Sequence, residues 1–381
     1  MVRVNCLAFG PAMHCRFFSI KQPAMNKINS VLSVLLLLSC SLFIISCEDE
    51  DSGPTPPPPV LSGIFIVNEG AFTQGNGSVS FISYDSNYYN NDIYLSANNL
   101  PLGDVVQSMS IYNRIGYICV NNSQKVEVVN MVDFKRITTI SIGSPRYFLG
   151  YSNRGYISDW SDNTVKIIDL NSNSIFRTLP CGNGPEQMLG YSQSMFVCNG
   201  GGFSIDSTVT VIDVPNLKVK DTIYTGINPN SLILDANNKL WVLCAGTTGP
   251  DYLPGTADDI GGKLLKIDPV SYAILQEFDF AQGTHPVKLV TDINKQTLYW
   301  LNSNSGYTGS VMKMNISDTQ LPAGVFINRD FYGLGIRPDN NDIYCGVPSF
   351  SLSSYIHRYT STGTLIDSIA VGIAPNGFVF N

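Results

Sequence analysis

The stretch VKIIDLNSNSIFRTL, Val165–Leu179, reads as a strand, a polar turn and a second strand, and its first half keeps returning. VSFIS (79–83), VEVVN (126–130), VKIID (165–169), VTVID (209–213), LLKID (264–268), VMKMN (311–315) and IHRYT (356–360) make seven occurrences. The intervals between their last residues are 47, 39, 44, 55, 47 and 45. Self-similarity at such a period marks a repeat architecture.

Around Val165 each repeat resolves into four short runs: RYFLGYS (146–152), GYISDW (155–160), TVKIIDL (164–170) and SIFRTL (174–179). All are rich in β-branched and aromatic residues and are separated by Gly, Asn, Asp, Ser or Pro, which are strand and turn signals. No helical periodicity of useful length occurs in the repeats. Asn130, Asp169, Asp213, Asp268 and Asn315 close the third run, where an Asx side chain can hold the turning backbone. Four strands per period predict an all-β, seven-bladed propeller. The first repeat opens with IFIVNEG (64–70), a second strand without a first, and the chain finishes with APNGFVFN (374–381), a first strand without a second. The C-terminal strand is therefore expected inside the first blade, closing the ring and removing exposed edges. GSP, GNGP, INPN, THP and IAPN precede the first strands. With the VxVID core they make residues 64–381 resemble the YVTN-type propeller repeat, a likeness that concerns fold and not chemistry.

Ahead of the repeats, Lys27 is followed by the apolar run Val31–Ile45 and then IISC (44–47). A short apolar segment behind a basic residue and ending at small residues is a secretory signal, too short for a membrane span. The terminal cysteine makes it resemble a bacterial lipoprotein signal. That implies cleavage behind Ser46 and lipidation of Cys47, with Cys40 in LLSC as the alternative. Residues 25–46 form that signal and 1–24 read as a misassigned start, so 1–46 lie outside the fold. Residues 47–60, with EDEDSGPTPPPP, form an acidic, proline-stiffened tether, and 61–381 form the propeller. The acids after Cys47 resemble an export signal to the outer face of an outer membrane.

The first 46 residues hold four of the 23 basic residues and none of the 30 acidic ones, so the remainder carries a formal charge of −11. A nucleic-acid partner, which needs a basic face, is not expected. Five cysteines follow Cys47: Cys119, Cys181, Cys198, Cys244 and Cys345. Most end apolar runs and read as buried thiols, and no CxxC pair suggests a metal.

Connections from second to third strands share a face with those entering the first strands, and the long ones gather there: CNGGGFSIDS (198–207) and CAGTTGPDYLPGTADDIGG (244–262). Long loops on a rigid ring are where binding resides. Phe72, Trp160, Phe203, Tyr252, Tyr307 and Phe350 come from these loops as candidate ligand contacts. The first-strand entries add Gln107, Arg146, Tyr147, Glu186, Gln187, Asn230, His285, Phe331, Tyr332 and Asn376 around the axis. Aromatic faces above a polar ring suit a flat ligand bearing amides or hydroxyls. Asp251, Asp258 and Asp259 are a candidate calcium set, although their spacing is not that of an EF-hand; no other cofactor is expected.

Only His285 and His357 follow the signal, in different repeats, and there is no G-x-S-x-G or Walker-type loop. Binding without catalysis is the expectation, and a His285–Glu186 acid–base pair is the residual route to a lyase or hydrolase. FIVNEGAFTQGNGSVSFI (65–82), with Asn68-Glu69-Gly70 and Gly75-Asn76-Gly77-Ser78, resembles the opening of a family of surface propeller lipoproteins that includes the cobalamin-capturing BtuG type. The resemblance implies capture of a corrinoid and transfer to a TonB-dependent outer-membrane transporter. The alternative is a glycan- or protein-binding module of a nutrient-uptake complex.

Overall fold

The structure, a computed structural model, describes residues 60–304 and 307–381; Cys47 and the signal and most of the tether lie outside them. Seven four-stranded antiparallel sheets follow one another around a ring, as the repeat predicts. In the third blade the strands are Pro145–Tyr151, Arg154–Asp159, Thr164–Asp169 and Ser174–Pro180, within a residue or two of the four sequence runs. Ser152 and Asn153, at φ 48° and 60°, make the two-residue hairpin whose twist matches the strands it joins. The outer hairpin is held by Asp169, whose Oδ1 accepts from the backbone N–H groups of Asn171 and Ser172 at 2.8 and 3.1 Å. Asn130, Asp213, Asp268 and Asn315 make the equivalent bond in their own blades.

The core is not one mass but seven layers, each between neighbouring blades. Phe196, Cys198, Val209 and Val211 of the fourth blade meet Leu232, Leu240, Val242, Cys244 and Leu265 of the fifth. Because a blade is covered on both faces, its middle strands are apolar at successive positions rather than alternating, as in LWVLC, buried throughout. Each such Val, Leu or Ile contributes about 1.5–3 kcal/mol on burial. Close approach is enforced where Gly150 and Gly190 receive Tyr112 and Tyr151 from the preceding blades. A Cβ there would sit 2.1 and 2.5 Å from the ring atoms. Four of the five cysteines are buried and all five are free thiols, Cys181 being partly exposed.

The last strand, Pro375–Phe380, pairs antiparallel with Gly63–Asn68, Phe378 opposite Ile66. It also lies against the inner strands of the second and seventh blades, Val106–Tyr112 and Gly333–Ile336, so the ring is continuous. One departure from the four-run pattern occurs in the first blade. Its outer strand is only Tyr89–Asn90, and a short helix, Ile93–Asn98, follows. Asp92 caps that helix by accepting from Leu95 N–H at 3.1 Å, while Ile93 and Tyr94 bury themselves in the layer beneath. Six residues are too few for a helical period to show in sequence.

Candidate functional site

Six of the seven inner strands break register within their first few residues. Pairing with the neighbouring strand skips Gln107, the pairs Arg146–Tyr147 and Glu186–Gln187, then Asn230, Lys288–Leu289 and Asn376. A bulge leaves such residues without an opposite number and re-aims their side chains. Prolines at 145, 185, 229 and 375 stand immediately before a skipped residue, where a missing N–H costs the ladder nothing. The fold thus turns one recurrent irregularity into a ring of polar groups around its axis.

These groups line an axial cavity of about 580 Å³, within the range of small-molecule sites. Further along the same strands its wall becomes apolar, through Met109, Leu289, Leu334 and Phe378. At the polar level, Arg146 Nε donates to Glu186 Oε1 at 3.0 Å, and a terminal guanidinium nitrogen reaches the same oxygen at 2.9 Å. The guanidinium lies on the Trp160 ring, 3.8 Å from its centroid, a cation–π arrangement. Across the cavity Glu69 accepts from Tyr332 Oη at 2.7 Å and from Asn376 Nδ2. Asn376 Nδ2 also donates to Gln107 O at 3.3 Å. Lys288 projects among these groups at φ 62°, in the left-handed region. Among the described residues its ammonium has no hydrogen-bond acceptor; the Tyr332 ring, 5.9 Å away, is the group beside it.

Burial sets the electrostatics. It pushes the Glu186 carboxyl above its ordinary value against the opposing pull of Arg146. It pushes Lys288 below the ordinary lysine range, only partly offset by Glu69 and Glu186. The Tyr147 and Tyr332 phenols are raised by burial, with Glu186 and Glu69 respectively adding to the effect. Two carboxylates and two cations share one enclosed space, so the cavity is close to neutral but strongly polar.

Of the sequence candidates, Gln107, Arg146, Tyr147, Trp160, Glu186, Gln187, Asn230, Tyr307, Tyr332 and Asn376 line this cavity. Some are partly spent on structure. Gln187 Oε1 accepts from Leu232 N–H at 2.9 Å, and Asn230 Nδ2 donates to Pro286 O at 3.0 Å, each bracing the next blade. Phe203 is 96% exposed and meets the Trp160 edge at 5.7 Å, bounding a smaller recess of about 140 Å³ beside the axis. Phe350 packs edge-on against Tyr332 at 5.0 Å. Phe72 and Tyr252 are exposed on their loops and do not line the cavity.

Two expectations require correction. Phe331 is fully buried in the sixth-to-seventh layer, against His357 and Tyr359. It ends an outer strand, Ile327–Phe331, and its side chain turns into that layer while Tyr332, one residue on, lines the cavity. His285 is also buried: Nε2 meets Asp259 Oδ2 at 3.1 Å and Nδ1 meets Ala245 O at 2.9 Å. It anchors the 244–262 loop and does not face Glu186 across the cavity.

The loop carboxylates are likewise engaged. Asp259 accepts from the N–H groups of Gly255 and Gly283 at 2.6 and 3.1 Å, and Asp251 from Leu253 N–H at 2.8 Å. Asp258 accepts from Thr256 Oγ1 at 2.8 Å. Among the described residues no three His, Cys, Asp or Glu side chains converge as a metal set.

Sequence reasoning missed Glu69 as a cavity group and Lys288 altogether. In the bulge Lys288 takes the place of Arg146 and Glu186, but its proline, Pro286, stands two residues ahead instead of one, so the offset that marks the other blades passes over it. Glu69 stands at the end of a second strand, so no first-strand pattern could reveal it.

A family model described as a domain of unknown function, DUF5074, matches residues 62–381. No curated protein matches the chain by sequence. Solved structures share the fold. A quinonprotein alcohol dehydrogenase-like protein from Bacteroides thetaiotaomicron aligns at 15% identity and TM-score 0.62, covering 84% of this chain and 78% of that one. A protein from Lactobacillus plantarum aligns at 10% identity and TM-score 0.60, covering 84% and 99%. A putative 6-phosphogluconolactonase from Bacteroides fragilis aligns at 11% identity and TM-score 0.59, covering 85% and 100%. At these identities the likeness concerns the propeller alone.

Proposed function

The chain belongs to the DUF5074 family, and we propose that it is a lipid-anchored capture module that binds a small polar ligand in its axial cavity without transforming it. One observation carries this reading: bulges on six inner strands bring polar side chains from around the ring into one enclosed space. Convergent polar groups above an apolar floor are what a ligand site needs. Two groups that could act as acid or base are committed elsewhere. Glu186 is held by Arg146, and His285 is held by Asp259 and Ala245.

The resemblance of residues 65–82 to surface propeller lipoproteins names a ligand class, a corrinoid. A flat ring edged with amides suits Trp160, Tyr307 and the amides of Gln107 and Asn376, and a projecting group could enter the cavity. Anchoring through Cys47 would place the module at the outer membrane, beside a TonB-dependent transporter that takes the ligand onward. Calorimetry of the full-length chain with cyanocobalamin tests this. Saturable heat at micromolar protein, reduced by Trp160→Ala, is expected; no heat and no co-elution of the red compound removes the corrinoid.

A second reading, capture of a glycan or a protein surface, is favoured by the exposure of Phe203 and Tyr252 on loops outside the cavity. It predicts binding that is lost with Phe203→Ala or Tyr252→Ala and indifferent to the axial groups.

A further inference from the structure

We propose that Lys288 is an anion subsite, receiving a singly charged oxyanion of the ligand, a carboxylate or a phosphodiester. This rests on the axial cavity being the ligand site and adds the chemistry of one part of what it takes.

The argument is an accounting of partners. Glu186 is paired with Arg146, and Glu69 is occupied by Tyr332 and Asn376. Arg146, the other cation, is neutralised by Glu186 and covered by Trp160. Lys288 remains: partly buried, in the cavity wall, with three N–H donors and no acceptor among the described residues. A partly buried ammonium without a protein acceptor gains charge-assisted hydrogen bonds when an oxyanion supplies them. Backbone geometry points the same way. Lys288 holds a positive φ of 62° within the bulge, a conformation lysine adopts rarely and one that tends to persist where function requires it. Burial lowers the ammonium's proton affinity, and of the facing charges Glu69 and Glu186 restore part of it while Arg146 lowers it further.

Charge sets the selectivity. Glu69 and Glu186 balance Arg146 and Lys288, so the field admits one added negative charge but works against two. Carboxylates and phosphodiesters are therefore favoured over dianionic phosphate monoesters.

The test uses the full-length chain and three probes, acetate, dimethyl phosphate and inorganic phosphate, followed by tryptophan fluorescence, since Trp160 lines the cavity. Acetate or dimethyl phosphate is expected to saturate with a dissociation constant on the order of 1 mM and to be preferred over phosphate at alkaline pH. Lys288→Met should weaken that binding at least about tenfold, and Lys288→Arg should retain most of it. In the wild type, affinity should fall as pH rises through a value below the ordinary lysine range, a readout that needs no variant. Unchanged binding in Lys288→Met overturns the proposal. So does cyanocobalamin binding without saturation by any anion, which leaves the capture reading standing. If neither the anions nor cyanocobalamin bind, the corrinoid version and the subsite fall together.

Discussion

Arg146 and Glu186 join two neighbouring blades at the axis, with both side chains largely buried and the guanidinium 2.9 Å from the carboxylate. Neither residue is required for the seven-fold packing of apolar layers, which proceeds behind them. Their position, enclosed yet hydrogen-bonded, makes the pair asymmetric toward substitution. Removing one partner strands the other charge, whereas removing both does not. Glu186→Ala or Arg146→Met should each cost about 2–4 kcal/mol, and the double variant Arg146→Met/Glu186→Leu clearly less than their sum. A double-mutant cycle by urea denaturation measures the difference. Additive costs would mean that the pair interacts with solvent rather than with itself.

The strand that ends the chain should control the stability of the whole ring. Deleting Pro375–Asn381 removes the partner of Gly63–Asn68, opens the first blade and takes Asn376 away from Glu69. The bared strand edge becomes a template for intermolecular pairing. Loss of the cooperative thermal transition and appearance of large species in size-exclusion chromatography are expected. A truncated chain that stays monomeric and melts as before would place closure elsewhere.

His285 offers a local test. His285→Ala should release the 244–262 loop at a cost of about 1–3 kcal/mol, because Asp259, 5% exposed, loses one of its three partners. Limited proteolysis should cut near Gly249–Asp258 in the variant and not in the wild type, with far-UV circular dichroism and cavity binding retained. Loss of binding together with an intact loop would return His285 to the ligand site.

Alkaline pH should act through the buried thiols. Burial pushes Cys119, Cys181 and Cys244 up to about 12 from an ordinary 9. A folded-state value above the unfolded one means stability that is complete below pH 9 and lost as pH rises toward 12. Lys288, lowered by burial, works in the opposite sense and contributes stability only above its folded value. The melting temperature should therefore fall between pH 9 and 11, and substituting Cys119 and Cys244 with Ala should flatten that fall. Among the five cysteines of the propeller, peptide mapping after brief alkylation should find Cys181, the partly exposed one, modified first.

The repeat, the strand boundaries, the Asx-closed hairpins and the exchange of the first blade's inner strand were all legible in the chain. Each depends on residues near one another in sequence or on a pattern copied seven times: alternation, turn chemistry and period act locally. The axial face could be located for the same reason, and most of its polar groups were found by their offset from a proline. What the pattern could not reveal was direction. Phe331 turns into a layer and its neighbour Tyr332 into the cavity, and a shift of one residue along an extended chain reverses inside and outside. Lys288 and Glu69 come together only when the last strand closes the ring, and His285 meets Asp259 only once the long loop has folded back. Local preference determined the blades. Which side chains share the enclosed space, and which of them keep a charge without a partner, was decided by tertiary closure, because burial and Coulomb interactions depend on distance in space and not along the chain.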